Sequence, residues 1–317
     1  MRAIPGGRHN SMISVFIDGS AGTTGLRISE RLSERKDLSL IHLDEAHRKD
    51  PKAREEALNA AQVAFLCLPD DAAREAVSLV HGDTVIIDTS TAHRTAPGWV
   101  YGFPELPGQQ EKIVHAKRIA NPGCHASGFI ALVAPLVQAG LLKAGAALTC
   151  FSLTGYSGGG KKMIAEYENP HRDLAYQSPR QYGLTQQHKH LKEMIHICGL
   201  DTAPVFCPIV SDFYSGMEVT VPVFRKDLLG TAEDIRQLYA EVYHTPVVHY
   251  ESFPEDLAML PANQMAGRDD MVIRVTGNED RILLTACFDN LGKGASGAAI
   301  QNMNIVLGLD QTLGLNV

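Results

Sequence analysis

Cys124 lies in the stretch ANPGCHAS, residues 120–127, at the junction of a bend and a mostly apolar run with helical character, GFIALVAPLV. A thiol in the first turn of a helix sits beside free backbone N–H groups and the positive end of the helix dipole. Both favour the thiolate, so the expectation is a nucleophile with a lowered pKa. Asn121, Pro122 and Gly123 would fix the turn that presents it. The competing reading is a small buried cysteine in a packed loop.

Such a nucleophile needs an acid/base partner, and YGLTQQHKHLKEMIHICGL, residues 182–200, offers candidates. Leu191, Met194, Ile195 and Cys198 mark the apolar face of a helix that Gly199 ends. His188 and His190 fall at its start, on either flank of that face. Glu193 is placed to orient or charge an imidazole. Two solvated histidines is the plain alternative. A metal site on His-x-His lacks a matching carboxylate or cysteine cluster, so no metal is expected.

A third feature sets the chemistry. FIDGSAGTTG carries Gly19, Gly22 and Gly25 between a strand-like run and a helical one. Glycines there let the backbone turn tightly and approach a phosphate, and the helix start offers N–H groups to it. Ser20, Thr23 and Thr24 add hydroxyl donors. The spacing alone is weak, but its strand–loop–helix setting points to a dinucleotide. After the second strand, Asp44 and Glu45 suit the ribose hydroxyl of NAD, whereas Arg48 and Lys49 suit the 2′-phosphate of NADP. A thiolate beside a nicotinamide implies acyl transfer to sulfur coupled to hydride transfer. Two polar stretches remain. DTSTAHRT offers Ser90 and Arg94, an arginine able to grip an anion or to form a surface ion pair. LTGYSGGGKKM offers Ser157 and Lys161 on a glycine-rich turn.

The elements needed to position these residues are legible. From Met12 the chain alternates strand and helix: ISVFID, LRISERLSERK, LSLIHL, KAREEALNAA, VAFLCLP, DDAAREAVSLV, TVIIDTS. That order implies a doubly wound parallel sheet, with ligands at the carboxyl ends of its strands. Beyond about residue 125 longer, more adjacent strand-like runs follow, including AALTCFSLTG, GMEVTVPVF and RILLTACFDN. They read as an α+β unit with a mixed or antiparallel sheet. The expected division is a disordered extension over 1–11, a dinucleotide-binding domain over 12–124 completed by a C-terminal helix over 294–317, and a catalytic and oligomerisation domain over 125–293.

Composition narrows the function. A net charge of -7 argues against a nucleic-acid partner. No apolar run is long enough for a bilayer and no signal-peptide core is visible, so no membrane is expected. Six cysteines without a CxxC pair suit a reducing cytoplasm.

GSAGTTG, DTSTAHR, YGFPEL, ANPGCHAS, TGYSGGGKK, HKHLKE and DNLGKGASGAAIQNMNIVLGL occur in the order of one family. On these motifs the chain resembles the short form of the N-acetyl-gamma-glutamyl-phosphate reductases of arginine biosynthesis, from about Met12 to the C-terminus. The resemblance implies a Rossmann-like domain joined to a glyceraldehyde-3-phosphate-dehydrogenase-like domain, NADPH as reductant, an acyl phosphate as substrate, and a dimer or tetramer. Cys124 would be the nucleophile, His188 the acid/base and His190 its reserve. Ser157 and Arg94 would lie near substrate anions, and Asn290 and Lys293 near the cofactor. The rival readings are aspartate-semialdehyde dehydrogenase or another acyl-phosphate reductase, and a non-catalytic NADP-binding sensor.

Overall fold

The structure, a computed structural model, describes residues 12–253 and 258–317. The extension expected over 1–11 lies outside the described residues. The first half alternates as its pattern predicts: β1 (Ile13–Asp18), α1 (Thr23–Ser33), β2 (Leu38–Ile41), α2 (Pro51–Ala60), β3 (Val63–Leu66), α3 (Asp70–Ser78), β4 (Val85–Asp88), β5 (Val100–Tyr101), α4 (Gln109–Val114) and β6 (Arg118–Ala120). The strands form one sheet in the order β2-β1-β3-β4-β6-β5, and every pairing is parallel. The chain steps from β1 outward to β2 and returns on the other side to β3. The crevice at that reversal is where such sheets bind nucleotides, and the glycine loop stands there.

Local chemistry sets the helices. Ile28 and Leu32 of α1 are buried against the sheet, Glu30 faces out, and Arg31 pairs with the buried Asp269. α2 begins with Asp50, whose carboxylate accepts from the Lys52 N–H, and with Pro51, whose missing N–H costs nothing in the first turn.

The second half runs α5 (Cys124–Gln138), β7 (Thr149–Gly155), α6 (Gly160–Glu168), β8 (Arg180–Gln181), α7 (Leu191–Cys198), β9 (Val205–Ser211), β10 (Met217–Phe224), α8 (Ala232–Val242), β11 (Val248–Tyr250), β12 (Met271–Gly277), β13 (Arg281–Phe288) and α9 (Gly297–Val306). Its sheet has the order β11-β12-β13-β10-β7-β9-β8. β7 and β9 are parallel, as are β11 and β12; the other pairings are antiparallel, which makes the sheet mixed.

α5 is the pivot. It is buried on every side from His125 to Leu136, between the mixed sheet and α7 and α8. Gly128 permits its close approach to β10, since a Cβ there would stand 2.6 Å from the Val219 side chain. Pro135 cannot donate to the carbonyl of Ala131 one turn earlier. The Tyr243 hydroxyl from the end of α8 donates to that carbonyl instead, at 2.6 Å. A helix start held this firmly is a rigid mount for its first residue, Cys124.

α9 returns to the first sheet, where Ala299, Ile300 and Met303 pack with Val15, Ile28 and Phe65. Among the described residues no helix is long and apolar enough to cross a membrane.

Candidate active site

A cleft of about 410 Å³ lies between the two sheets. Cys124, His188 and His190 share it with Thr23 and Thr24 from the start of α1, with Ser157 and with Asn290. Residues separated by more than 250 positions in the chain thus meet around one thiol.

Cys124 is the first residue of α5, and no side chain caps the N–H groups of that first turn. The bend before it is held from several sides. Arg94 donates through Nε to the Asn121 carbonyl at 3.0 Å, and the Asn121 amide donates to the Ala295 carbonyl at 3.0 Å. The Gly123 N–H donates to Glu193 Oε2 at 3.2 Å. Only glycine fits at 123: a Cβ would stand 2.4 Å from Arg94 Nη1, 2.5 Å from His190 Nε2 and 2.6 Å from Glu193 Oε1.

The expected fall in the Cys124 pKa is corrected. Burial outweighs the helix start and the nearby Arg94 and Lys189 charges, and pushes the thiol above its usual range. The resting group is a thiol that must be deprotonated on use. Both partner imidazoles are neutral near pH 7, again chiefly through burial: His188 falls to about 4 and His190 lies well below its ordinary value. Each can therefore accept a proton. His190 is almost fully buried, while His188 is half-buried on the cleft wall and its Nδ1 accepts from the His190 N–H at 3.2 Å.

Arg94 lines the cleft, and both it and Glu193 are engaged in fixed contacts around the bend. Arg94 Nη1 donates to Glu193 Oε1 at 2.7 Å and Nη2 to the Thr89 carbonyl at 3.1 Å. With Nε on Asn121, the guanidinium is a buried strut beneath the bend rather than an open fork for an anion or a surface ion pair. Glu193 lies 4.0 Å from His190 Nε2, and its short contacts go to Arg94, Tyr101 and Gly123 instead.

The two residues assigned near the cofactor from the last motif part company. Asn290 lines the cleft, where its amide donates to Ser157 Oγ at 3.0 Å and accepts from the Gly216 N–H at 2.9 Å. Lys293 does not reach the cleft. Its ammonium is fully buried, donating to both Glu105 oxygens at 2.8–2.9 Å and to Gln301 at 2.6 Å.

The matches with known proteins agree with this architecture. The sequence model of the semialdehyde dehydrogenase NAD-binding domain matches residues 9–116, and that of the semialdehyde dehydrogenase dimerisation domain matches residues 124–290. The N-acetyl-gamma-glutamyl-phosphate reductase of Trichormus variabilis is 47% identical over 95% of this chain and 98% of its own. That of Brucella ovis is 48% identical over 93% and 98%. The chain belongs to the N-acetyl-gamma-glutamyl-phosphate reductase family. Its fold is also that of aspartate semialdehyde dehydrogenase II from Vibrio cholerae, with a TM-score of 0.68 at 16% identity, covering 94% of this chain and 99% of that one.

In this reductase-family chain the residues fit a dinucleotide. Gly19 has φ +87°, and a Cβ on it would fall 2.3 Å from the Cys67 carbonyl oxygen; one on Gly25 would fall 2.5 Å from the Gly19 oxygen. Any side chain at either position would therefore destroy the turn. Gly22, the N-cap of α1, closes that turn by donating its N–H to the Gly19 carbonyl at 3.0 Å. Gly19 and Ser20 line a second cavity together with Arg48 and Lys49, so the loop separates it from the Cys124 cleft. Asp44 is turned away from that cavity, accepting from the N–H and imidazole of His47, and Arg48 pairs with Glu45 at an exposed position.

Sequence reasoning missed Tyr101, His125 and Tyr182. His125 follows the nucleophile directly, which was the available signal. Tyr101 and Tyr182 stand within quoted motifs, but only the fold brings their hydroxyls to the site.

Proposed function

We propose that this chain reduces N-acetyl-L-glutamyl 5-phosphate to N-acetyl-L-glutamate 5-semialdehyde with NADPH, releasing phosphate, in arginine biosynthesis. The observation that carries the reading is the meeting of Cys124, His188 and the start of α1 in one cleft. Relatives almost half identical over nearly their full length, which bear this enzyme's name, support it.

In this mechanism Cys124 attacks the acyl carbon. A bond from sulfur to carbon forms, the carbon–oxygen bond to phosphate breaks, and a thioester remains on Cys124. His188, neutral near pH 7, accepts the thiol proton at Nδ1, which releases the His190 N–H as it does so. His190 is the reserve for that role. The proton is then available to the substrate oxygen as charge develops there, and returns to the imidazole when the thiohemiacetal releases the aldehyde. Free N–H groups in the first turn of α5 stabilise the same oxygen. Ser157, tied to Asn290, faces the substrate anion. NADPH would be held by Gly19, Ser20, Gly22, Thr23, Thr24 and Gly25, with Arg48 toward its 2′-phosphate; when bound it supplies the hydride.

The matched dimerisation domain and the outer face of the mixed sheet support a dimer or tetramer. By register, Phe151, Val205 and Leu283 share that face, and all three are exposed. The six unpaired thiols suit the cytoplasm.

The reverse reaction tests the reading. N-acetylglutamate semialdehyde and NADP are mixed with and without inorganic phosphate and followed at the NADPH absorbance. Phosphate-dependent formation of NADPH is expected. Activity with aspartate semialdehyde alone would move the substrate, and NADPH binding without turnover of either aldehyde would mean a sensor.

A further inference from the structure

His125, the residue after the nucleophile, is fully buried and makes two short side-chain contacts. Its Nδ1 lies 2.7 Å from Ser152 Oγ and its Nε2 lies 2.6 Å from the Tyr182 hydroxyl. Burial and the neighbouring His188 and Lys189 push its pKa down to about 3, so the ring is neutral at working pH. A neutral imidazole has one N–H and one acceptor nitrogen. Two tautomers therefore satisfy the distances, and they give Tyr182 opposite roles.

Ser152 decides between them. It lies on β7 with 0% exposure, and His125 is its one side-chain partner among the described residues. If Nδ1 carried the proton, the Ser152 hydroxyl would accept, and its own proton would be buried without an acceptor. That carries the full desolvation penalty of an unmade bond. In the other tautomer every group is matched. Ser152 O–H donates to Nδ1, Nε2–H donates to the Tyr182 oxygen, and the phenolic proton is left over. Tyr182 is half-buried on the wall of the Cys124 cleft, and its backbone N–H is anchored to the Pro208 carbonyl at 3.0 Å.

We infer that Tyr182 donates a hydrogen bond to the substrate oxygen that gains charge when Cys124 is acylated and the thioester is reduced, with Ser152 and His125 fixing the direction of that donor. Tyr182 is then a catalytic residue, while His125 and Ser152 are positioning residues. The phenol stays protonated throughout, since burial holds it above its usual range. The inference rests on the acyl-phosphate reading above.

The test uses the full chain in the phosphate-dependent oxidation of N-acetylglutamate semialdehyde. Removing one oxyanion donor costs roughly a hundredfold or more in kcat, so Tyr182→Phe should lose about that much while NADPH binding and alkylation of Cys124 stay unchanged. His125→Gln, which keeps an N–H near the Nε2 position, should retain most of the rate, and His125→Leu should approach the Tyr182→Phe level. A Tyr182→Phe enzyme within twofold of wild type overturns the inference and leaves the reaction assignment standing. A rise confined to the KM for phosphate would place Tyr182 on the phosphate and also overturn it. A wild-type chain inactive with this aldehyde overturns both readings.

Discussion

Glu193 accepts the backbone N–H of Gly123 at 3.2 Å, which ties α7 to the residue immediately before the nucleophile. The same carboxylate takes Arg94 at 2.7 Å and the Tyr101 hydroxyl at 2.8 Å. One buried anion therefore joins β5, the loop after β4, α7 and the Cys124 bend. Its removal leaves the Arg94 charge buried and unpaired, an effect of about 3–5 kcal/mol. Glu193→Ala should lower unfolding stability by that order and abolish turnover. Tyr101→Phe removes one bond to a charged acceptor and should cost about 1.5–3 kcal/mol. Chemical denaturation measures both, and equal losses in the two variants would contradict the hub assignment.

Lys293 and Glu105 form a fully buried pair rather than a cofactor contact. Lys293→Met strands the Glu105 carboxylate and should destabilise by about 3–5 kcal/mol, whereas the double variant Lys293→Met/Glu105→Leu should recover most of that loss. The NADPH dissociation constant, measured on folded protein by fluorescence, should hardly move in the double variant. A tenfold weaker NADPH affinity there would restore Lys293 to the cofactor.

Much of this arrangement was legible in the sequence and some was not, for identifiable reasons. The parallel sheet could be read because β1, β3 and β4 are continuous apolar runs between helices with a single apolar face. β5 and β6 escaped reading because two and three residues show no period, though Tyr101 ends one of them. Cys124 is legible from its place at a bend before a helix, but the helix start it occupies argues only for a lowered pKa. Its burial comes from residues distant in sequence, as the approach of Gly294 to the Cys124 Cβ shows. Lys293 is legible as a cation but not as a buried one, and the partners of Arg94, which lines the cleft, are equally hidden. The sequence displays a cation, while its partner carboxylate lies 99 or 188 residues away.

Arg48 lines the cavity beyond the glycine loop, with an exposed pairing to Glu45 that costs little to break. A bond to a charged phosphate is worth about 1.5–3 kcal/mol, so Arg48→Ala should weaken NADPH roughly tenfold to a hundredfold. NADH, which lacks the 2′-phosphate, should be nearly unaffected. Titration of both nucleotides measures the ratio. Equal weakening of the two would remove Arg48 from the 2′-phosphate.

The raised pKa of Cys124 fixes the sign of its pH dependence. A thiol pushed above its ordinary value is almost entirely protonated at pH 7, and its thiolate fraction rises about tenfold per pH unit until the pKa is reached. Alkylation of Cys124 by iodoacetamide should therefore accelerate about tenfold per unit from pH 7 to 9 without a plateau. Turnover should behave differently. The neutral form of His188, whose pKa is about 4, prevails across that whole range, so a base that removes the thiol proton during attack makes kcat/KM nearly flat from pH 6 to 8. His188→Asn should abolish the flat region and leave a residual rate that climbs with pH in parallel with alkylation. If His190→Asn produced that change and His188→Asn did not, the acid/base would be His190. A wild-type alkylation rate already level at pH 7 would mean that the helix start and Arg94 outweigh burial and that the resting group is a thiolate.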